Sequence, residues 1–336
     1  MNGAESRPGG ASREIMTELA EMQQSHRCAF CGYPIPSTIE AVQARGVGHC
    51  STACAQAHLD GEDPFKNALA FKRRPIGVPV LEQALPHGIP SYATILIAGQ
   101  EGTRKEGLML EIIWRALLRG EPALLAPVDK PPTTVIDAFL AHGWNVLPYL
   151  DAGKLHIIDM YTRRLPDERI YEQRNNEWST FLLSAFSDSI IQARDPSDLH
   201  SVSNRFDQGC EALGMSNTGV AAIDDLTELA SYTPEQRAIN FLKEIRGIVS
   251  KARDVPLFTG ASESRREGLY PTNYPQNHEY LFDGIIDLEL SDDLVDGQRI
   301  PRLSVRKMDD AWLNQRWMTY GFEPGSGFIE IPPANW

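Results

Sequence analysis

The stretch Ala93-Thr94-Ile95-Leu96-Ile97-Ala98-Gly99-Gln100-Glu101-Gly102-Thr103-Arg104-Lys105-Glu106-Gly107-Leu108-Met109-Leu110 decides the fold. An apolar, partly β-branched run gives way to glycines, then a lysine, then apolar residues at helical spacing. That order predicts a strand, a loop and a helix N-terminus whose backbone N–H groups cradle phosphate oxygens. The full pattern of such a loop is G-x-x-x-x-G-K-S/T. Gly99 supplies its first glycine and Lys105 its lysine. Arg104 stands at the second glycine, and Glu106 stands where a hydroxyl would bind magnesium.

Outward from this stretch, strands and helices alternate. Leu108–Leu118 reads as an amphipathic helix ended near Gly120, Pro122–Val128 as a buried strand, and Val135–His142 as a helix closed by Gly143. Lys154–Met160 is a third strand, and Val202–Leu213 a helix holding Cys210. Gly219–Leu229 is a buried strand that runs into the acidic pair Asp224-Asp225. In a nucleotide-binding sheet, an acid at this position lies beside the phosphate loop and orients magnesium, which makes Asp224 a candidate. A helix near Pro234–Ala252 precedes a strand over Val255–Thr259. Tyr280–Leu290, Arg302–Met308 and Phe328–Ile331 read as strands of antiparallel hairpins at a sheet edge. The pattern predicts an α/β fold with a mostly parallel sheet covered on both faces. Residues 161–200 fit it least, and read as a divergent insertion with a helix around Phe181–Ile191.

Upstream lie Cys28-Ala-Phe-Cys31-Gly32 and Gly48-His49-Cys50-Ser51-Thr52-Ala53-Cys54. A C-x-x-C pair followed by glycine forms a tight knuckle, and a C-x-x-x-C pair fits the first turn of a helix. Four thiolates, Cys28, Cys31, Cys50 and Cys54, complete a closed tetrahedral zinc site. His49 and His58 are alternative ligands that four cysteines make unnecessary. The segment resembles small treble-clef zinc fingers, a class used for protein docking, for structure and for nucleic-acid binding.

Composition bounds the function. Four of the five cysteines cluster in one segment, which points to a metal in a reducing compartment rather than to disulfides. A net charge of -13 counts against general nucleic-acid binding. Lys66, Lys72, Arg73 and Arg74 form a local basic run that reads as a solvated linker. No apolar run approaches the roughly 18–20 residues of a membrane span. Met1–Gln24 lacks the apolar centre of a secretory signal. The expectation is a cytoplasmic protein with four parts: a tail and short helix over 1–24, a zinc finger over 25–65, a linker over 66–74 and an α/β domain over 75–336.

Residues 75–336 resemble the KaiC-like ATPases of the RecA superfamily. The matching features are Ile76-Gly77-Val78-Pro79 with Gly88-Ile89-Pro90, the loop Gly99…Gly102-Thr103…Lys105, and Phe139…Gly143-Trp144 before Leu155-His156-Ile157-Ile158-Asp159. Others are Ile223-Asp224…Leu226-Thr227, Leu281-Phe282-Asp283-Gly284-Ile285-Ile286 and Val305-Arg306-Lys307-Met308. The resemblance implies a RecA-like fold with C-terminal antiparallel hairpins, and nucleotide at Gly99, Gly102, Thr103, Lys105 and Asp224. It implies ATP or ADP with magnesium, and a ring of like or related subunits.

The chain departs from that family at four places. Arg104 replaces a glycine, and Glu106 replaces the magnesium-binding hydroxyl. Asp129 and Lys130 stand for the paired glutamates that activate water, and Asp309 stands for the basic residue that reaches a neighbour's nucleotide. A carboxylate about 4 Å from a phosphate charge costs roughly 4 kcal/mol at an effective dielectric near 20. A hydrogen bond to a charged group returns only about 1.5–3 kcal/mol. Glu106 therefore opposes triphosphate binding unless it ligates magnesium itself or is neutralised, for which Arg104 is the expected partner.

The sequence thus predicts weak or absent hydrolysis, in a regulatory or scaffolding subunit that docks a protein through its finger. One alternative is an active ATPase that uses Glu106 and Asp224 for magnesium and Asp129 as base. Another is a zinc-finger transcriptional regulator, which the acidic balance disfavours.

Overall fold

The computed structural model describes residues 28–30, 35, 40–50, 52–61, 73–164, 177–193, 195–263, 276–295 and 297–331. The expected tail and helix over 1–24, Cys31, Lys66, Lys72 and residues 165–176 of the divergent segment lie outside the described residues.

The cysteine segment contains a hairpin of β1 (Val42–Ala44) and β2 (Val47–His49), followed by helix α1 (Thr52–Leu59). Arg45 and Gly46 turn the hairpin with φ of 53° and 77°, the left-handed pair that suits the twist of two antiparallel strands. β3 (Arg73–Arg74), helix α2 (Pro79–Ala84) and β4 (Ile89–Pro90) then lead into β5 (Thr94–Gln100) and helix α3 (Lys105–Leu118).

Next come β6 (Ala123–Pro127), α4 (Pro132–Ala141), α5 (Leu147–Asp151), β7 (Leu155–Asp159), α6 (Glu177–Ala185) and β8 (Ile190–Gln192). The chain continues through α7 (Leu199–Ala212), β9 (Val220–Asp224), α8 (Leu226–Tyr232) and α9 (Glu235–Ile245), which runs on as a π-helical turn over Arg246–Lys251. It ends in β10 (Leu257–Glu263), β11 (Gly284–Val295), β12 (Gln298–Met308), β13 (Met318–Glu323) and β14 (Gly327–Glu330).

Ten of these strands form one sheet in the order β14-β13-β12-β11-β5-β10-β9-β6-β7-β8. From β11 to β8 all neighbours are parallel, and β12, β13 and β14 extend the sheet antiparallel. This is a RecA-like α/β fold. The central strands are mostly apolar and almost wholly buried, because both faces are covered. Along β5, Ile95 and Ile97 enter one apolar core with Leu108, Ile112 and Phe139, while Leu96 and Ala98 enter another with Phe206 and Leu242.

Four sequence expectations change, one being that the strand read over Gly219–Leu229 ends at Asp224 and gives way to helix α8 from Leu226. The helix placed around Phe181–Ile191 stops at Ala185, and Ile190–Gln192 instead pairs with β7 as the edge strand. Ile190 is buried while Gln192 is exposed, as suits a strand at an edge. The segment read as Tyr280–Leu290 begins its strand at Gly284 and lies beside β5, parallel to it, as well as forming a hairpin with β12. The helix expected to Ala252 leaves α-geometry after Ile245.

Candidate nucleotide site and cysteine cluster

β10 separates β5 from β9, so the carboxyl ends of the outer two open on one crevice. Lys105 begins α3 directly after the loop, and Asp224 ends β9. Gly260 of β10 lies between them, and a side-chain carbon there would overlap Asp224 Oδ1. The glycine is what lets the two charged side chains meet.

Lys105 is 7% exposed, and its Nζ lies 2.5 Å from Asp225 Oδ2 and 3.6 Å from Asp224 Oδ1. Burial opposes the ammonium charge, but Asp224 and Asp225 together outweigh it and hold the Lys105 pKa above its ordinary value. Asp225 Oδ2 also accepts from Ser262 Oγ at 2.9 Å, and its Oδ1 caps α8 by accepting from Thr227 N at 2.5 Å. Asp224 Oδ1 has no hydrogen-bond partner among the described residues. Burial pushes the Asp224 carboxyl up to about 6 against the pull of Lys105.

The loop is held from within and from the C-terminal strands. Thr103, fully buried, donates its hydroxyl to Gln100 O at 2.6 Å. Gly99 lacks the Cβ that would crowd Thr103 Oγ1 and Lys105 Cβ at 2.9 and 3.2 Å. Gly102 takes a φ of 87°, and Arg104 takes 58° at the N-cap of α3. Arg104 is thus a branched-chain-free but Cβ-bearing residue in a left-handed conformation that costs about 1–2 kcal/mol outside glycine. Its guanidinium lies over the Phe322 ring at 5.2 Å.

Glu106 is therefore not neutralised by Arg104. Its carboxylate pairs with the Lys130 ammonium, which also lies 3.4 Å from Asp129 Oδ2. Burial alone would lower the Lys130 pKa, yet the hydrogen bond to Glu106 and the charge of Asp129 raise it. Burial raises the Asp129 carboxyl. At the end of β12, Lys307 donates to Phe282 O at 2.6 Å and lies 3.2 Å from Asp309.

Gly99 lies at the end of β5, Gly102 and Thr103 in the loop after it and Lys105 at the start of α3, and Asp224 lies 3.6 Å from Lys105 across Gly260. Lys130, Asp225, Gly260, Ser262 and Tyr320 also belong to the surroundings of the loop. Of these, Asp225 carried a sequence signal as the second acid of the pair, and Lys130 as a departure from the paired glutamates, while Gly260, Ser262 and Tyr320 carried none.

In the cysteine segment, the sulfurs of Cys28, Cys50 and Cys54 lie within 4.8 Å of one another, and all three residues are buried. Cys50 and Cys54 sulfurs are 3.5 Å apart. Thiolates about 2.3 Å from a tetrahedral zinc ion stand about 3.8 Å apart, so this cluster suits a common ion. His49 is fully buried, and its Nε2 bonds to His58 Nδ1 at 2.8 Å, so the two rings partner each other. Of the basic run, Arg73 donates to Asp310 O at 2.9 Å, and Arg74 lies 4.0 Å from Glu121. Both are turned to neighbouring protein groups.

The profile of the family described as "ATPase: KaiC" matches residues 74–334. A "UPF0273 protein" of Thermotoga maritima is 26% identical over 238 residues, which are 71% of this chain and 87% of that one. An "archaeal flagellar ATP-binding protein FlaH" of Sulfolobus acidocaldarius is 21% identical over 247 residues, 73% of this chain and 91% of that one. The crystal structure of a KaiC-like protein from Pyrococcus horikoshii superposes with a TM-score of 0.57 at 17% identity, covering 77% of this chain and 99% of the other. This last likeness concerns the fold.

Proposed function

The chain belongs to the KaiC family of ATPases, and on that premise we propose that it is a regulatory or scaffolding member with weak or absent ATP hydrolysis. The observation that carries this reading is the Glu106–Lys130 pair. Where the family pattern has a hydroxyl and a water-activating glutamate, this chain has an acid and a base that neutralise each other. Asp129, the carboxylate left at the position of the paired glutamates, lies beside the same ammonium. A charged amine at that place withdraws the general base that hydrolysis needs. Asp309 beside Lys307 adds a carboxylate where a neighbouring subunit's nucleotide would require positive charge.

The nucleotide site on this reading is Gly99, Gly102, Thr103, Lys105 and Asp224. The FlaH relative, named an ATP-binding protein, supports retained nucleotide binding. Members of this family commonly assemble with like or related subunits, and such an assembly is part of the proposal.

The segment 25–65 acts as a zinc finger held by Cys28, Cys31, Cys50 and Cys54, joined through 66–74 to the domain over 75–336, with 161–200 as its divergent part. The grouped sulfurs of Cys28, Cys50 and Cys54 support the zinc. The inward pairing of Arg73 and Arg74 favours a protein partner over nucleic acid.

ATP turnover by the purified chain in magnesium tests the reading. No turnover above a heat-inactivated control is the expected result. Robust magnesium-dependent turnover that is lost in Lys105→Ala and in Asp129→Asn would overturn it.

A further inference from the structure

We infer that this site takes the phosphates of a nucleoside di- or triphosphate without magnesium, the Lys130 ammonium standing in for the metal ion. The inference rests on the non-hydrolysing reading above. In the G-K-S/T pattern, the hydroxyl after the lysine binds magnesium, and a strand-end acid orients the ion's waters. Here the hydroxyl is replaced by Glu106, whose Oε2 is taken by Lys130 Nζ. The same ammonium lies 3.4 Å from Asp129 Oδ2 and within the electrostatic reach of Asp224. The acids that could gather around a divalent ion are already arranged around protein cations, Glu106 and Asp129 at Lys130 and Asp224 and Asp225 at Lys105. The residues present therefore do not fit magnesium, because an entering ion would have to expel Lys130 or sit against its charge.

They do fit a phosphate. Two ammonium groups, Lys105 and Lys130, flank the crevice. The Lys105 side chain is 7% exposed and the Lys130 side chain 18%. Glu106 is half-exposed at 52%, so when a phosphate competes for Lys130 the glutamate can turn into water. Asp224 Oδ1 is an independent sign that the interior of the site is arranged for something further. It is more than nine-tenths buried, has no hydrogen-bond partner among the described residues, and lies on the Lys105 side of the crevice. Lys105 Nζ already faces it at 3.6 Å, so what it lacks is a hydrogen-bond donor, which a water bound beside a phosphate would supply. The loop N–H groups and the start of α3 supply the remaining donors for phosphate oxygens.

Calorimetric titration of the full chain with ATP and with ADP, once in EDTA and once in excess magnesium at matched ionic strength, tests the inference. The expected dissociation constants agree within about threefold between the two conditions, a difference well under the tenfold that corresponds to about 1.4 kcal/mol. In Glu106→Thr/Lys130→Glu, which restores the ordinary charge order, magnesium should tighten binding by about tenfold or more. Lys130→Gln, a milder change, should weaken metal-free binding about tenfold. Magnesium tightening the unaltered chain by more than threefold overturns the inference, as does an absence of binding in both conditions. Absent binding leaves the non-hydrolysing reading standing, whereas turnover alongside metal-independent binding removes that reading alone.

Discussion

Tyr320 donates its hydroxyl to the Thr103 carbonyl at 2.6 Å, so strand β13 near the C-terminus holds the phosphate loop in place. Both residues are buried, and burial keeps the phenol protonated by raising its pKa. Tyr320→Phe removes the donor and leaves a buried carbonyl unpaired, at a cost of about 1–3 kcal/mol. Denaturant unfolding should show that loss. Hydrogen exchange should show faster opening of the amides from Gly99 to Lys105, with the cysteine segment unaffected.

Arg104 sets two small effects against each other. The left-handed backbone costs about 1–2 kcal/mol in a residue with a Cβ. The stack on Phe322 returns about 0.5–1 kcal/mol at an exposed position. Arg104→Gly should therefore change stability by about 0–1.5 kcal/mol, in the stabilising direction. Arg104→Ala keeps the strain and loses the stack, and should fall below the unaltered chain. Thermal unfolding of the two variants side by side separates strain from stacking.

Lys105 is a structural cation as well as a candidate ligand for phosphate. Its removal leaves Asp224 and Asp225 facing each other in a buried crevice. Breaking a buried pair by deleting one partner costs about 3–5 kcal/mol. Lys105→Ala should unfold at markedly lower urea, and Lys105→Ala/Asp225→Asn should recover part of the loss. A double-mutant cycle measures the coupling. This is why Asp129→Asn, at a partly exposed carboxylate, accompanies Lys105→Ala in the turnover test.

Much of the sheet could be read from the sequence, because strands buried on both faces are continuous apolar runs of readable length. Ile190–Gln192 and Met318–Glu323 were not readable in this way. The first is a three-residue edge strand, and the second alternates around Gly321. The loop glycines, Lys105 and Asp224 sit at fixed offsets from strand ends, which makes them legible. Lys130 and Tyr320 reach the loop only through tertiary packing, from 24 and 217 residues away from their partners. Sequence spacing alone pointed to Arg104 as the neutraliser of Glu106, because chain neighbours are the only partners it displays. Arg104 instead stacks on Phe322.

Glu82 gives stability a pH dependence. Its side chain lies in α2, 3% exposed, accepting from Gly77 N at 2.5 Å while its Oε2 has no partner among the described residues. Burial pushes the carboxyl up from 4.5 to about 7, against the Gly77 hydrogen bond and the charge of Arg119. The folded chain thus binds this proton more tightly than the unfolded chain does. The resulting stability is fully present below the unfolded value of 4.5 and is lost as the pH rises through about 7. The shift corresponds to about 3 kcal/mol. Denaturant midpoints taken from about pH 4 to about pH 8 should fall for the unaltered chain and fall less steeply for Glu82→Gln, the difference in slope belonging to this one group. Equal slopes would mean that the carboxyl is hydrated in solution.

Gly260 tests the crevice without touching a charge. A methyl at this position meets the Asp224 carboxylate, with Lys105 Nζ beyond it at 3.6 Å. Gly260 lies in the middle of β10, paired to Ile97 of β5, so the backbone cannot move aside without breaking the ladder. Gly260→Ala should displace the Asp224 carboxylate and cost about 1–3 kcal/mol, as overpacking does elsewhere in protein interiors. If Asp224 and Lys105 matter to phosphate binding, the same variant should weaken nucleotide affinity more than Arg104→Gly does. Calorimetry on both variants, with unfolding measured in parallel, reads the two effects separately. Unchanged stability and affinity in Gly260→Ala would mean that Asp224 does not occupy the space between the strands.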